Sequence, residues 1–126
     1  MVQLALKLDA PAPRVKRDPD CSKCGLCENA ETVCLLGVGD RKAKIMIVGE
    51  APGQREDEEG EPFVGKSGAM LDKWLHMRGV EREDVYITNA VHCRPPGNRT
   101  PSKREVKACR PWLMDEIRMV QPEYIL

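Results

Sequence analysis

The chain has 126 residues and carries 20 basic and 20 acidic side chains, so its formal net charge is zero. That length predicts a single domain or most of one. The neutral balance excludes a globally basic nucleic-acid binder, so any such binding depends on a local patch. A membrane-spanning helix needs about 18 consecutive apolar residues, and no apolar run in the sequence approaches that length. Residues 1–10 lack the apolar core of a signal peptide. We therefore expect a cytoplasmic protein that makes no membrane contact.

The first 20 residues predict an extended arm. They hold three prolines and mixed charge, and Pro11 and Pro13 forbid a helix there. The stretch from Val2 to Leu6 predicts a short edge strand. The arm is followed by residues 21–34, where four of the six cysteines lie.

Cysteines in a reducing compartment are more often used for metal ligation or redox chemistry than for disulfides. Cys21 and Cys24 form a CxxC pair, which suits two thiolates on one metal. The second pair of a four-sulfur site must come from elsewhere in the chain, and Cys93 and Cys109 are candidates. On spacing alone, a tetrahedral zinc site and a four-iron cluster are both open.

Two further cysteines complicate this assignment. Cys27 forms a second CxxC with Cys24 that overlaps the first. Cys34 is followed by two leucines, which is typical of a buried thiol that acts as a small apolar side chain.

The central part of the chain predicts a strand, a loop and a helix. The apolar run from Ala43 to Val48 indicates a buried strand, and Gly49 to Gly65 indicates a loop. Ser67 to Arg78 predicts a helix that Gly79 ends. Four apolar residues share one face of this helix: Met70, Leu71, Trp74 and Leu75.

A second strand is predicted from Val85 to Val91, and Arg94 to Pro101, with three prolines and a glycine, predicts a structured loop. Ser102 begins a second helix, because Glu105 follows three residues later as in a capping box. Pro111 is expected to interrupt or restart that helix.

The second helix is expected to run to about Val120 and to end at Gln121-Pro122. Glu123 then begins a third strand, in which the chain stops, as in a domain cut short. Strands and helices that alternate in this way predict right-handed crossovers and a parallel sheet.

The loop after the first strand and the end of the second strand hold candidate site residues. Loops at the carboxyl ends of parallel strands form the sites of α/β proteins, and this loop carries Glu50 and the only phenylalanine, Phe63. Phe63 either stacks on a ligand or plugs the loop against the core. Asn89 ends the second strand, and its amide suits the edge of a nucleobase; a local backbone cap is the alternative.

A basic patch follows the second strand. Six basic residues and one acid lie between positions 94 and 110, which predicts a phosphate-facing surface, with a solvated helix face as the alternative. The basic residues are Arg94, Arg99, Lys103, Arg104, Lys107 and Arg110. His92, beside Cys93, is more typical of a surface or hydrogen-bonded histidine than of a metal ligand.

Several of these motifs recur at distances that are typical of one protein family. They are Gly49-Glu50-Ala51-Pro52-Gly53, Glu56-Asp57, Gly60, Pro62-Phe63-Val64-Gly65, Asn89, and Cys93-Arg94-Pro95-Pro96 followed by Asn98-Arg99. Together they resemble the family 4 uracil-DNA glycosylases, over residues 21–126. The fold that this resemblance implies is α/β, a three-layer α/β/α arrangement with a parallel sheet, apparently truncated.

The resemblance implies a cofactor and a reaction. The cofactor is a 4Fe-4S cluster on Cys21, Cys24, Cys93 and Cys109. The reaction is the excision of uracil from single- or double-stranded DNA by hydrolysis of the N-glycosidic bond, after the base is flipped out of the helix.

The resemblance also implies individual roles. Glu50 and Asn89 are the implied catalytic residues, the first orienting water and the second reading the edge of uracil. Phe63 stacks on the base, and Glu56 is a further acidic pocket residue. The implied uracil-binding set is Glu50, Ala51, Pro52, Glu56, Phe63 and Asn89. The expected DNA-binding residues are Arg94, Asn98, Arg99 and Lys103.

Three hypotheses for function follow. Family members continue beyond the point that matches Leu126, with another strand and a histidine-bearing loop, so the chain is expected to be a glycosylase or the half of one that a second polypeptide completes. The second hypothesis is a non-catalytic iron–sulfur module that binds DNA or a replication protein, like the similar domains attached to phage DNA polymerases. The third is a zinc-stapled structural protein, which rests on the cysteines alone.

Overall fold

The computed structural model describes residues 2–3 and 15–126. The strands in these residues are β1 Val2–Gln3, β2 Val38–Gly39, β3 Ile45–Gly49, β4 Tyr86–Asn89 and β5 Tyr124–Ile125. The α-helices are α1 Gln54–Glu59, α2 Lys66–His76 and α3 Lys103–Val120. None of the described helices has the length and hydropathy to cross a membrane.

The five strands form one sheet in the order β1-β5-β3-β4-β2. The central strand β3 pairs in parallel with both β4 and β5, which confirms the predicted parallel core. The two edge strands, β1 and β2, pair antiparallel, so the sheet is mixed. β1 begins the strand predicted from Val2 to Leu6, and residues 4–14 of the predicted arm lie outside the described residues.

Helices cover both faces of the sheet, which confirms the three-layer α/β/α arrangement. Side chains alternate between the two faces of a strand, and β3 follows this rule. Ile47 packs with Leu75 of α2 on one face, whereas Met46 packs with Ile117 of α3 on the other. The carboxyl ends of β3 and β4 are thereby left open between the two helix layers.

Helix α1 lies inside the segment that was predicted to be loop. Its sequence is wholly polar, QREDEE, so it lacks the apolar periodicity by which a helix is recognised. What fixes it is a buried carboxylate: Asp57 is only 2% exposed and accepts hydrogen bonds from the backbone N–H groups of Glu31 and Thr32, at 3.0 and 2.8 Å. The helix therefore depends on a contact with a distant segment.

Helix α3 is continuous through Pro111, so the predicted interruption is wrong. Pro111 is exposed, and so is Lys107, whose carbonyl loses its helical partner to the proline. Buried Cys109 before the proline and buried Glu116 after it attach both halves of the helix to the core.

Helix α2 begins at Lys66, one residue before the predicted start. Leu75 is buried and Leu71 packs beside it, but Met70 and Trp74 are 74% and 40% exposed. The guanidinium of Arg78 lies 4.1 Å from the centre of the Trp74 ring, a cation–π contact that covers part of this apolar surface.

Candidate functional site

A cavity of about 320 Å³ lies at the carboxyl ends of β3 and β4. We call it the Glu50 cavity. It is lined by Glu50, Ala51, Gly53, Glu56, Phe63, Gly65, Lys66, Ser67 and Asn89. Five of the six residues expected to contact uracil therefore share one cavity. The sixth, Pro52, is fully buried next to it.

The Asn89 side chain is the buried polar group of this cavity. It is 2% exposed, and its carboxamide makes no hydrogen bond to residues 15–126, although buried polar groups are almost always paired. Every completely buried side-chain nitrogen and oxygen in these residues does have a partner. The Asn89 side chain thus lines the cavity without a hydrogen-bond partner among residues 15–126.

Phe63 and Asn89 meet above Gly49. A Cβ atom at position 49 would lie 2.4 Å from Asn89 Oδ1 and 2.5 Å from Phe63 Cζ. Only glycine leaves room for both side chains at this point. The last residue of β3 therefore determines how closely the ring and the amide approach.

The Phe63 backbone is held in a left-handed conformation, with φ at 56°, which is strained for a phenylalanine. Its ring both lines the cavity and packs on the cluster that contains Ile47 and Leu75. The two interpretations of this residue are therefore compatible, since one face of the ring joins the core while the ring still borders the cavity.

Arg82 holds the strained backbone in place. One of its nitrogens donates to the Phe63 carbonyl at 2.7 Å and to Asp72 Oδ1 at 3.0 Å, and the other donates to the Pro62 carbonyl. Behind the loop, a Cβ at Gly68 would lie 1.8 Å from the Phe63 carbonyl oxygen. The position of the ring is thus set by contacts with α2 and with the turn before β4.

Glu56 lines the cavity, but both of its oxygens are already engaged. Oε1 accepts from the Gly53 N–H at 3.0 Å, and Oε2 accepts from the N–H groups of Val64 and Gly65 at 2.8 and 2.7 Å. Burial acts to raise the pKa of Glu56, but the backbone hydrogen bonds outweigh it, so this pKa is lowered. Glu56 therefore ties the two ends of the cavity loop together.

Glu50 is the carboxylate of the cavity that is open to solvent. Its backbone carbonyl accepts from the Val91 N–H at 3.1 Å, and the Gly49 carbonyl accepts from Ala90 at 2.8 Å. These bonds continue the pairing of β3 and β4 past their ends. These backbone hydrogen bonds place Glu50 at the mouth of the cavity, where its side chain is exposed to solvent.

Lys66 and Ser67 were missed by sequence reasoning. They form the first turn of α2, whose N-cap is Gly65, and both line the cavity. The signal for them is a glycine followed by the first turn of a helix, where unpaired N–H groups and the helix dipole favour negative charge.

Four thiols converge on the other side of the cavity loop. We call Cys21, Cys24, Cys93 and Cys109 the cysteine cluster. Cys93 and Cys109 are buried in one apolar cluster, and Cys24 packs against it. The thiols of Cys21 and Cys24 are electrostatic neighbours of both.

Each of three sulfurs in the cysteine cluster faces at least one N–H donor. Trp112 Nε1 donates to Cys21 Sγ at 3.2 Å. The Cys34 backbone N–H donates to Cys93 Sγ and that of His92 to Cys109 Sγ, both at 3.3 Å. Donors of this kind favour the thiolate form that binds metals.

Burial nevertheless raises the pKa of Cys93 to about 11 and that of Cys109 to about 12. Without a metal these thiols stay protonated at neutral pH, so metal binding must release protons. No three His, Cys, Asp or Glu side chains in residues 15–126 are spaced to close around a single metal ion.

Of the two remaining cysteines, Cys34 borders the cysteine cluster, because its backbone N–H donates to Cys93 Sγ and its thiol is an electrostatic neighbour of Cys93. Cys27 is half-buried and is not among the electrostatic neighbours of Cys93 or Cys109. Cys34 is buried at 1% exposure with φ at 55°, and burial raises its pKa to about 11. This burial agrees with the interpretation of Cys34 as a small apolar side chain.

The expected DNA-binding residues lie outside the Glu50 cavity and already have partners in part. Arg94 Nε donates to Asn98 Oδ1 at 2.7 Å. Arg99 makes a bidentate ion pair with Glu105, at 2.7 and 2.8 Å, and this contact holds the pKa of Glu105 down at about 2. Lys103 is exposed, and none of the described residues forms an ion pair with it.

Lys103 belongs to a basic face of α3. Together with Lys107 and Arg110 it lines a shallow groove whose other walls are Pro101 and Val106. These three cations recur every three or four residues, so they lie on one side of the helix.

Comparison with known proteins agrees with the fold. Residues 36–126 match the uracil DNA glycosylase superfamily, and the chain belongs to that superfamily. It is 49% identical over 107 residues to the type-4 uracil-DNA glycosylase of Pyrobaculum aerophilum, covering 85% of this chain and 54% of that protein. It is 46% identical over 112 residues to the type-4 enzyme of Archaeoglobus fulgidus, covering 89% and 56%.

A DNA polymerase of Bacillus phage SP01 is also similar, with 35% identity over 93 residues, or 73% of this chain and 10% of the polymerase. The chain thus spans about half the length of the type-4 glycosylases that it matches.

Proposed function

We propose that this chain forms the uracil-binding part of a uracil-DNA glycosylase, which hydrolyses the bond between uracil and deoxyribose in DNA repair. The observation that carries the proposal is the Asn89 carboxamide, which is buried, unpaired within residues 15–126 and exposed to the Glu50 cavity beside Phe63. A cavity of about 320 Å³ at the end of parallel strands is a usual place for a small ligand.

The chemistry of Asn89 suits uracil. A carboxamide donates through nitrogen and accepts through oxygen, whereas the edge of uracil offers an accepting O4 next to a donating N3–H. Cytosine presents the reverse pattern, so one amide orientation distinguishes the two bases. The Phe63 ring supplies the stacking surface for a base that has left the helix.

Glu50 suits the hydrolytic half of the reaction. Its carboxylate is open to solvent at the cavity mouth, where it can orient a water molecule toward the sugar carbon. Hydrogen bonds to the uracil carbonyl oxygens stabilise the departing uracil anion. Lys66 and the free N–H groups of the α2 N-terminus add positive potential in the same cavity.

The cysteine cluster fits a 4Fe-4S cofactor held by Cys21, Cys24, Cys93 and Cys109. The fit rests on four converging thiols, an apolar surround, and N–H donors that face three of the sulfurs. A single zinc ion requires four sulfurs within about 2.3 Å of one centre, a tighter set than the residues provide. When bound, the 4Fe-4S cofactor would link residues 21–24 to Cys93, before α3, and to Cys109, within α3.

The proposed DNA surface is the basic face of α3 and the loop that precedes it. Lys103, Lys107 and Arg110 supply exposed charge, and Arg94 with Asn98 supplies hydrogen-bond donors nearby. The guanidinium of Arg99 is paired with Glu105. Its contribution to phosphate binding is therefore smaller than its place in the basic stretch of the sequence suggests.

Binding to DNA at several salt concentrations tests this surface. Lys107→Ala is expected to weaken binding to all sequences and to reduce the slope of log K against log salt by about 1. Lys42→Ala, at the opposite end of β3, is the matched control and leaves the slope unchanged. Equal slopes for the two variants contradict the assignment.

The activity test measures free uracil released from an oligonucleotide with one uracil. The iron-loaded chain is assayed alone and with the carboxyl-terminal half of the Pyrobaculum aerophilum glycosylase as a separate polypeptide, because the relatives are about twice as long. We expect release in at least one condition, with loss in Glu50→Gln and in Asn89→Asp, which keeps the shape but removes the donor. No release in either condition contradicts the proposal.

A second candidate function is a non-catalytic module that binds DNA or a replication protein. The similarity to part of a phage DNA polymerase favours it. Salt-dependent DNA binding without uracil release, unchanged by Glu50→Gln, supports this alternative. Free cysteines and an iron–sulfur cofactor suit a cytoplasmic location, which we propose for either function.

A further inference from the structure

His92 and Glu116 form a buried polar pair that the proposed chemistry does not use. They are 1% and 0% exposed, and they lie outside the Glu50 cavity. His92 Nε2 is 2.5 Å from Glu116 Oε1. A buried ionisable pair is costly unless its hydrogen bonds are satisfied, so its other contacts indicate what it does.

Glu116 is fixed by three donors, one from the residue before β2 and two from β4. Its Oε2 accepts from the Gly37 N–H at 2.8 Å and the Tyr86 hydroxyl at 2.6 Å. Its Oε1 accepts from the Thr88 hydroxyl at 2.8 Å. With these donors in place, the carboxylate has one orientation, and so has the imidazole that contacts it.

The other ring nitrogen of His92 faces the cysteine cluster. Nδ1 lies 3.3 Å from Cys109 Sγ, the same sulfur that accepts from the His92 backbone N–H. A cysteine that ligates a metal is an unprotonated thiolate, which only accepts hydrogen bonds. Nδ1 must then carry a hydrogen. A second proton lies in the short contact between Nε2 and Glu116 Oε1, because two acceptors without a proton would repel each other at 2.5 Å. Glu116 thereby holds the ring so that the Nδ1–H is directed at the sulfur.

We propose that His92, oriented by Glu116, is a positioning residue that donates an N–H···S hydrogen bond to Cys109 and thereby raises the reduction potential of the iron–sulfur cluster. The inference rests on the cluster of the proposed function. His92 then lies beside the metal-binding cysteines, which agrees with its burial. The contacts of Tyr86 and Thr88 with Glu116 then serve to orient the imidazole as well as to pack the core.

The physical reason is electrostatic. Reduction adds an electron to the cluster and its thiolates, and a positive hydrogen beside a sulfur stabilises that added charge. Hydrogen bonds to the sulfurs are among the factors that set the potentials of such clusters. Removal of this donor should therefore make the cluster harder to reduce.

The test compares midpoint potentials of iron-loaded variants by redox titration monitored by electron paramagnetic resonance. His92→Phe keeps a planar ring but removes the donor, and we expect a tenfold lower ratio of reduced to oxidised cluster at a fixed potential, about 59 mV for one electron. His92→Asn places an amide N–H near the position of Nδ1 and should restore most of the potential. His76→Phe, at an exposed histidine, is the control.

An unchanged potential in His92→Phe, or an equal shift in both His92 variants, overturns the inference. If His92→Phe does not fold, pulsed resonance of the reduced wild-type chain gives the answer, with histidine labelled with ¹⁵N in the imidazole ring only, because the His92 backbone nitrogen faces the same sulfur. A coupled nitrogen that persists in His76→Phe supports the hydrogen bond, and no coupled nitrogen refutes it. Iron and sulfide analysis of the wild-type chain tests the cofactor by itself. A chain that binds neither iron nor sulfide contradicts the cofactor assignment of the proposed function, rather than the role of His92.

Discussion

The cysteine cluster and the Glu50 cavity lie on two sides of one loop, and they differ in how far their polar groups are hydrogen-bonded. Around the cysteines, N–H groups are directed at sulfurs and the side chains are buried. In the cavity, Asn89 has no partner in residues 15–126, Glu50 is open to solvent, and Phe63 has a strained backbone. Satisfied groups give stability, whereas unsatisfied and strained groups in a rigid frame are what a ligand can use.

Asp57 joins the two regions. Its carboxylate accepts from Glu31 and Thr32 in the cysteine-bearing segment, and the Thr32 hydroxyl donates back to the Asp57 carbonyl at 2.6 Å. One residue earlier, Glu56 binds the cavity loop. Asp57 therefore contacts the cysteine-bearing segment, and its neighbour Glu56 contacts the cavity loop. Substitution of one carboxylate at a time can separate their contributions to the stability of the two regions.

The largest effect is expected from removal of a cysteine ligand. Cys109→Ala should abolish iron binding and cooperative unfolding together, because formation of such a site is coupled to folding. Circular dichroism during heating and iron analysis measure both. Cys27→Ala is the matched control and should keep both, whereas a stable, iron-loaded Cys109→Ala chain would overturn the ligand assignment.

Gly49→Ala should affect the cavity and leave the cysteines intact. The new methyl group would lie 2.4 Å from Asn89 Oδ1 and 2.5 Å from Phe63 Cζ, so both side chains must move. Loss of a bidentate base contact costs about 1–3 kcal/mol, so we expect uracil affinity to fall about 5- to 150-fold by calorimetry, with normal iron content.

The control for that change is Gly79→Ala. Gly79 has φ at 71° and nothing within 4 Å of its position for Cβ, so the substitution costs about 1 kcal/mol of backbone strain but touches no part of the cavity. Its uracil affinity should equal that of the wild type. An equal loss in both variants would mean that general destabilisation explains the result.

Asp57→Asn tests the connection between the two regions. An amide of the same shape places an N–H group against the donor of Glu31 or Thr32, which leaves a buried donor unpaired at a cost of about 1–3 kcal/mol. We expect a lower free energy of unfolding in urea and faster loss of iron to a chelator. Unaltered iron retention would show that the cysteine segment does not depend on α1.

Glu105→Gln should have the smallest effect, and it should depend on pH. Arg99 and the Ser102 cap lower the pKa of Glu105 to about 2, below its unfolded value of about 4.3. The stabilisation is therefore complete above about pH 4.3 and is lost as pH falls toward 2. The gap in free energy of unfolding between wild type and Glu105→Gln, about 1 kcal/mol at pH 6, should narrow by pH 3.

Local sequence patterns predicted the regular elements well. The apolar run before Gly49 became β3, the capping box at Ser102 became the start of α3, and the motifs identified the family. The same patterns failed where a contact comes from far along the chain. Helix α1 is polar and depends on Glu31 and Thr32, and α3 passes through Pro111 because both its halves are anchored in the core.

The site shows the same division. Glu50, Phe63 and Asn89 were found from the ends of strands and the unusual residues beside them. Sequence reasoning missed that Glu56 is occupied by backbone donors, that Arg99 is paired with Glu105, and that Lys66 lines the cavity. Each of these depends on which groups lie within about 3 Å after folding, and no spacing in the sequence carries that information.

Residue types and local periodicity therefore predicted the order of the main strands and helices and the candidate cysteines, and the motifs identified the family by resemblance. Which polar groups of residues 15–126 are hydrogen-bonded and which lack a partner follows from the packing of the folded chain. Among residues 15–126, Asn89 lacks a partner whereas His92 is engaged, because hydrogen bonds form between segments that packing brings together, such as His92 with Glu116 across 24 positions. That pairing distinguishes the groups that stabilise this protein from those that can bind a base.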